Sequence, residues 1–292
     1  MKVITLKKKP VNLEQFVKRS AFESDYDILI TEPTILVDED DGEIKFIYDY
    51  LDMDTSSVVQ ALNSIKYPIT KRVDGLKTQS RVFGFKPRVT MRADFCSSTS
   101  LAIQHPKEHQ TICDLALDIE KQYEKFHPEG YERHNKETQG KIKDGWRING
   151  KSVFTSGIIN KNNPLKYHFD TGNFLNVYSC MVVFKGGVSG GFLSLPEYRA
   201  GVELKDKSLF MFDGQSILHG VTPIKKHNPN SYRYSIVYYS LRQMWKCLTI
   251  DEEVIRIRQR KTKRETLRAK PTDEYSIRIQ KNLKDQLERK GK

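Results

Sequence analysis

The chain has 292 residues, 38% apolar and 10% aromatic, enough to bury a sizeable core and inconsistent with a disordered protein's composition. Its 49 Lys and Arg against 37 Asp and Glu give a formal charge of +12, which attracts polyanions but does not by itself separate a nucleic-acid partner from a merely basic surface. The four cysteines, Cys96, Cys113, Cys180 and Cys247, form no CxxC pair; neither a zinc ribbon nor a disulfide-dense scaffold is indicated, and buried reduced thiols are the expectation.

No segment approaches the ~18–20 apolar residues that span a bilayer, so no membrane partner is expected and a soluble, reducing compartment such as the cytoplasm fits best. Residues 1–80 read as a mixed α/β extension whose short strands are VITL, DILI, TILV and KFIYDYL, with nothing catalytic legible. The main domain is expected over 81–246, with helical support at 96–126. There Leu101, Ile112, Leu115, Ala116, Ile119 and Tyr123 include three- and four-residue spacings, and His127-Pro128-Glu129-Gly130 reads as the stop. From about 145 to 246 come the runs SVFTSGII, NVYSCMVVF, GGFLSLP, SLFMFDG and YRYSIVYYSL, separated by Gly-Gly, Asp-Gly and Asn-Pro, in the manner of an antiparallel sandwich or jelly roll. The further strands of an eight-stranded jelly roll are expected in the weaker runs near 150, 165, 200 and 222.

Residues 247–292 read as a basic helical tail; within 251–292, 14 Lys or Arg face 8 Asp or Glu, half of the chain's excess charge. Arg256, Arg258, Arg260 and Lys261 in the tail, and Arg88 and Arg92 upstream of the helices, are candidate phosphate contacts. The bland alternatives are a solvated helix face and a solvated loop.

The β-rich region also carries the residues with chemical potential. His168 and Asp170 are two apart, so on a strand both point to one face, and His219 follows 49 residues after Asp170, behind an apolar strand and a DGQS turn. Two imidazoles and a carboxylate make the facial triad suited to non-haem Fe(II), with positions left open for other ligands. Arg233 lies 14 residues beyond His219, with Ser235 on the same strand face; a guanidinium and a hydroxyl placed side by side can clamp a carboxylate. Tyr167, Asn173, Asn176 and Tyr178 flank this pattern, and Asn173 and Tyr178 are candidates to contact a keto acid or orient the ligands. Each element alone is a weak signal: a His-x-Asp pair arises by chance, and a lone Arg or His is commonly structural.

His-x-Asp, a Gly-Gly-x-Leu strand, a second His and Arg-x-Ser, in this order, resemble the core of the 2-oxoglutarate/Fe(II)-dependent dioxygenase superfamily over about residues 165–240. The resemblance implies a mainly β fold, a double-stranded β-helix or jelly roll with flanking helices. It implies Fe(II) on His168, Asp170 and His219, 2-oxoglutarate on Arg233 with Ser235 beside it, and O2 as second cosubstrate. The reaction implied is oxidative decarboxylation of 2-oxoglutarate to succinate and CO2, coupled to hydroxylation of a C–H bond.

Within the superfamily, HFDTGNFLNVYSCMVVF and SILHGVTPI look closest to the TET/JBP group, which acts on the 5-methyl group of pyrimidines in DNA and has compact phage relatives; GFKPRVTMRADFCSSTS also fits such phage members. The resemblance therefore implies a 5-methylcytosine or thymine hydroxylase with DNA as partner, expected to act as a monomer, in the host cytoplasm if phage-encoded. Two alternatives stay open. One keeps the chemistry but acts on a protein side chain or a small molecule; the other is a non-enzymatic nucleic-acid-binding protein, against which the intact four-residue pattern argues.

Overall fold

The structure, a computed structural model, describes residues 1–71, 75, 77–88, 95–269 and 281. It divides into two compact units, Met1–Cys247 and Leu248–Lys292. The first begins with β1 (Lys2–Leu6), the short helix α1 (Leu13–Phe16), β2 (Ile28–Ile30), β3 (Thr34–Asp38), β4 (Ile44–Tyr50), α2 (Ser56–Ser64), β5 (Ile69–Lys71), β6 (Lys77–Lys86) and β7 (Ser97–Ser98). Three helices follow: α3 (Ser100–Gln104), α4 (Pro106–Phe126) and α5 (Pro128–Lys141). The β-rich region then supplies β8 (Ser156–Lys161), β9 (Leu165–His168), β10 (Ser179–Gly186), β11 (Val188–Gly190), β12 (Leu193–Leu195), β13 (Ala200–Val202), β14 (Ser208–Phe212), β15 (His219–Val221), β16 (Ile224–Lys226) and β17 (Tyr232–Tyr239).

Most strands form one large sheet in the order β1-β3-β4-β14-β10-β17-β8-β6-β5, with β7 paired to β6. A smaller sheet, β2-β13-β12-β15-β9, and the ribbon β11-β16 complete the β structure among the described residues. Neither the large nor the small sheet closes on itself, so the architecture is that of facing sheets rather than a closed barrel.

The central strands are buried on both faces, which is why β10 reads as a continuous apolar run instead of an alternating one. Its Cys180, Val182 and Phe184 join a core with Leu62, Ile112, Leu115 and Ile119 of α2 and α4. Its Met181 and Val183 face the other way, into a core shared with Leu193 and Leu195 of β12 and Val202 of β13. The alternation continues on β17: Tyr234, Ile236 and Tyr238 join the helical side, so Arg233, Ser235, Val237 and Tyr239 point between the sheets.

Several sequence expectations change here. Residues 1–80, read as an extension, contribute β1, β3, β4 and β5 to the large sheet and β2 to the small one, through antiparallel pairing of β4 with β14 and parallel pairing of β2 with β13. The run near 150 is a 3-10 turn, Ile148–Gly150, while those near 165, 200 and 222 are strands. α4 stops at Phe126 as expected, with His127 as its C-cap, but a further helix follows at once, because proline is well tolerated at the first helical position and Pro128 opens α5.

The expectation of reduced thiols holds for Cys113 and Cys180, which are buried and free. It fails for Cys96 and Cys247, which form a disulfide 151 residues apart in sequence; no local spacing could have revealed that pair. The second unit contains α6 (Ile250–Ala269), which begins with Asp251, Glu252 and Glu253, favourable next to the positive end of the helix dipole. No described helix is long and apolar enough to cross a membrane.

Candidate active site

The two histidines meet by strand register. β15 pairs antiparallel with β9 so that His219 stands opposite His168, with ring centroids 4.3 Å apart. Asp170 lies just past the end of β9, its backbone N–H donating to Gly214 O at 2.8 Å. A Cβ on Gly214 would sit 2.5 Å from Asp170 Oδ2, so only glycine lets the DGQS turn come this close to the carboxylate. The carboxylate oxygens lie 3.6 Å from His168 Nε2 and 4.0 Å from His219 Nε2. One ligand atom from each of the three residues lies within 4.8 Å of the others, and no other His/Cys/Asp/Glu cluster among the described residues could hold a metal ion.

The backbone sets which imidazole nitrogen faces the centre. His168 Nδ1 is 2.7 Å from Lys166 O and His219 Nδ1 is 2.9 Å from Ile217 O. Since a carbonyl only accepts, both Nδ1 atoms carry the proton and donate it, leaving both Nε2 lone pairs directed at Asp170. Burial, assisted by His168, pushes the His219 imidazole down to about 3, and burial raises Asp170 against the pull of His168. A dication among these groups would favour the carboxylate and keep the imidazoles neutral, as metal ligation requires.

Beside this triad lies a cavity of about 360 Å³ lined by Ile158 and Asn160 of β8, Met181 of β10, Leu193 of β12, and Ser235, Val237 and Tyr239 of β17, with Phe169, Thr171, Gly172 and Asn173 at the loop after β9. Arg233 occupies the next inward position of the same β17 row, beyond Ser235, and is not itself part of this lining. It is 2% exposed, and its Nε and Nη2 are buried without a hydrogen-bond partner among the described residues. Burial alone pulls its guanidinium down to about 10.

A buried cation without an anion is costly, and a ligand carboxylate at this position would fit it. The Gly-Gly pair makes the room: a Cβ on Gly191 would lie 3.0 Å from Arg233 Cδ and Nε, and one on Gly190 would lie 2.2 Å from Pro223 O. The donor set thus fits both Fe(II) and the carboxylate of a keto acid.

Residues 85–242 match Tet_JBP, the oxygenase domain of the 2OGFeDO superfamily, over more than half of the chain. The chain belongs to this family. Its class is that of dioxygenases working with Fe(II), 2-oxoglutarate and O2. Among curated proteins it is 26% identical over 173 residues to thymine dioxygenase JBP1 of Trypanosoma brucei brucei, with the same figures for the protein of strain 927/4 GUTat10.1. The alignment covers 59% of this chain but 20% of each relative, so the chain spans about a fifth of their length. In fold it is similar to NgTET1, solved in complex with 5mC DNA, with a TM-score of 0.57 and 13% identity over 84% of each chain.

Against the Tet/JBP frame, the other sequence-derived candidates separate. Ser235 faces the cavity opposite Asn160. Asn173 also lines it, its Nδ2 donating to Ser179 Oγ at 2.9 Å. Tyr178 does not: its ring stacks on Tyr123, its hydroxyl donates to Ile44 O, and it borders a separate polar pocket with Arg133 and Asp213. Tyr167 is likewise committed elsewhere, to Asp25 and Ser194, and Asn176 is an exposed turn residue at φ 56°.

Arg88 is half buried, Arg92 falls outside the described residues, and Arg256, Arg258, Arg260 and Lys261 lie on α6 of the second unit. Asn160 and Tyr239 were missed by sequence reasoning. Period-two alternation onward from Arg233 and Ser235 reaches Tyr239, whereas Asn160 enters only through its register with Ser235.

Proposed function

We propose that this chain hydroxylates the 5-methyl group of a pyrimidine, thymine or 5-methylcytosine, in DNA, with His168, Asp170 and His219 as the iron ligands and Arg233 with Ser235 as the 2-oxoglutarate carboxylate clamp. The observation carrying the reading is a His-Asp-His cluster lining the cavity that Ser235 also lines, with Arg233 next in the same β17 row and buried without an anion among the described residues. When bound, iron, 2-oxoglutarate and O2 supply the oxidising chemistry, which puts one oxygen on the substrate and releases succinate and CO2.

The chain's own contribution is placement. The two Lys166 and Ile217 carbonyls hold the imidazole tautomers, and Arg233 orients the cosubstrate from behind Ser235. Ile158, Met181, Leu193, Phe212, Val221 and Val237 form a largely apolar wall that keeps water from the reacting methyl group. A base must leave its stack to reach a buried metal, and Tyr239 and Phe169 offer aromatic surface for an extruded ring. The likeness to a thymine dioxygenase, the fold shared with a 5mC-DNA-bound protein and the charge of +12 support DNA as the substrate over a small molecule.

The test is anaerobic reconstitution with Fe(II), then 2-oxoglutarate, O2 and duplex DNA carrying thymine or 5-methylcytosine, followed by mass spectrometry of the digested nucleosides. One added oxygen on either base, lost in Asp170→Ala, is expected. Succinate without a modified base moves the substrate elsewhere, and no succinate under any condition rejects the oxygenase reading.

A further inference from the structure

The carboxylate end of the site contains a second cation. β10 and β17 pair antiparallel with Lys185 directly opposite Arg233. Opposed residues in an antiparallel pair project to the same face with Cβ atoms about 5 Å apart. Lys185 therefore projects from the same inner face of the sheet as Arg233, two positions beyond Val183, which packs between the sheets.

Its side chain is only 15% exposed, and burial, reinforced by Arg233 and opposed by Glu203, holds its ammonium below the ordinary lysine value. The only anion within ion-pair range among the described residues is Glu203, with Oε1 4.0 Å from Nζ, at the limit of that range. Asp206 and Lys205 also influence it, in opposite senses, but both side chains are exposed.

The inner groups therefore do not balance: Arg233 and Lys185 bring two positive charges and Glu203 one negative. A ligand carboxylate would supply the missing charge. Each carboxylate has two oxygens and about four acceptor sites, enough for a guanidinium and an ammonium together.

We propose that Lys185 is a second binding residue for the distal carboxylate of 2-oxoglutarate, resting against Glu203 in the free protein and turning to the ligand when it binds. Glu203 then acts as a competitor for the ammonium. The inference rests on 2-oxoglutarate being the cosubstrate, and the experiment separates the two.

Binding is measured by calorimetry on the full-length, Fe(II)-loaded protein without O2, using 2-oxoglutarate and 2-oxopentanoate, which replaces the distal carboxylate by a methyl group. Lys185→Met should weaken 2-oxoglutarate by about tenfold or more, the size of a lost charge-assisted hydrogen bond, and leave 2-oxopentanoate unchanged. Lys185→Arg should restore much of the loss, and Glu203→Gln should tighten 2-oxoglutarate by removing the competitor.

Equal affinity of Lys185→Met and the wild type for 2-oxoglutarate, or equal losses for both acids, would overturn the proposal. Should Lys185→Met not fold, Lys185→Gln and Glu203→Gln decide in the same way. If the wild type does not prefer the dicarboxylate and Arg233→Met changes nothing, the cosubstrate assignment itself fails.

Discussion

Gly191→Ala tests whether Arg233 is placed by its neighbours for a ligand. Gly191 has φ +68°, so any side chain there costs about 1–2 kcal/mol of left-handed strain. The new methyl would also sit 3.0 Å from Cδ and Nε of Arg233 and from Ile224 Cγ1, so one of these must move by a few tenths of an ångström. Overpacking of this kind costs about 1–3 kcal/mol.

Gly42 separates the two effects, since it has nearly the same φ, +70°, but nothing within 4 Å of its added Cβ. In urea unfolding, Gly42→Ala should lose about 1–2 kcal/mol, the strain alone, and Gly191→Ala about 2–4 kcal/mol, strain plus contact. Calorimetric titration of 2-oxoglutarate should find Gly42→Ala unchanged. Gly191→Ala should bind about tenfold more weakly, because a bidentate guanidinium contact tolerates little displacement. Equal stability losses together with unaltered 2-oxoglutarate affinity in Gly191→Ala would refute the reasoning that the glycine shapes the clamp.

Three further outcomes are expected. His134 is buried and pushed down to about 3 by desolvation, while in the unfolded chain it titrates near 6.5. Its folded value is depressed, so it favours the native state above ~6.5 and that contribution falls as the pH drops towards 3. Urea melts at pH 7.5 and 5.5 should show a loss of about 1.4 kcal/mol that His134→Gln lacks. Reduction of Cys96–Cys247, or Cys96→Ser, should lower the melting temperature, with up to about 5 kcal/mol at stake in the chain-entropy account of a loop this long. Truncation after Cys247 removes Arg256, Arg258, Arg260 and Lys261 and should flatten the plot of log affinity for DNA against log salt by roughly 0.9 for each of these that touches a phosphate; an unchanged slope assigns the tail no electrostatic role.

The His168-x-Asp170 part of the candidate metal cluster was legible from its short spacing, whereas the meeting of His168 with His219 rests on the register of β9 with β15. His168 closes β9 and Asp170 follows two residues on, just past the strand end, while the apolar β14 followed by a turn places His219 at the start of the next strand. Arg233 and Ser235 were legible for the same reason, sharing one face of β17. What could not be read depends on register between distant strands. Asn160 reaches the cavity because β8 pairs with β17, and Lys185 meets Arg233 because β10 does. Tyr178 illustrates the converse error: close to the triad in sequence, it follows a loop that turns it onto Tyr123 of α4, away from the cavity. The N-terminal strands read as an appendage because their partners, β13 and β14, lie 158 to 172 residues further on.

Since β17 is buried on both faces, hydrophobicity alone would tolerate it in either orientation. A one-residue slip would put Tyr234 and Ile236 where Arg233 and Ser235 now stand and drive the guanidinium among Ile112, Leu115 and Ile119 beneath the helices. The polar ends of the odd-numbered row prevent this. Arg233 N donates to Asn162 Oδ1 at 2.7 Å, and Asn162 N donates back to Arg233 O at 2.8 Å. On the other face Tyr234 and Tyr238 use their hydroxyls on Asn63 and Ile112 O, bonds that a slipped strand would forfeit. The contacts that fix the strand's register therefore also fix where Arg233 stands relative to Ser235 and the cavity that Ser235 lines.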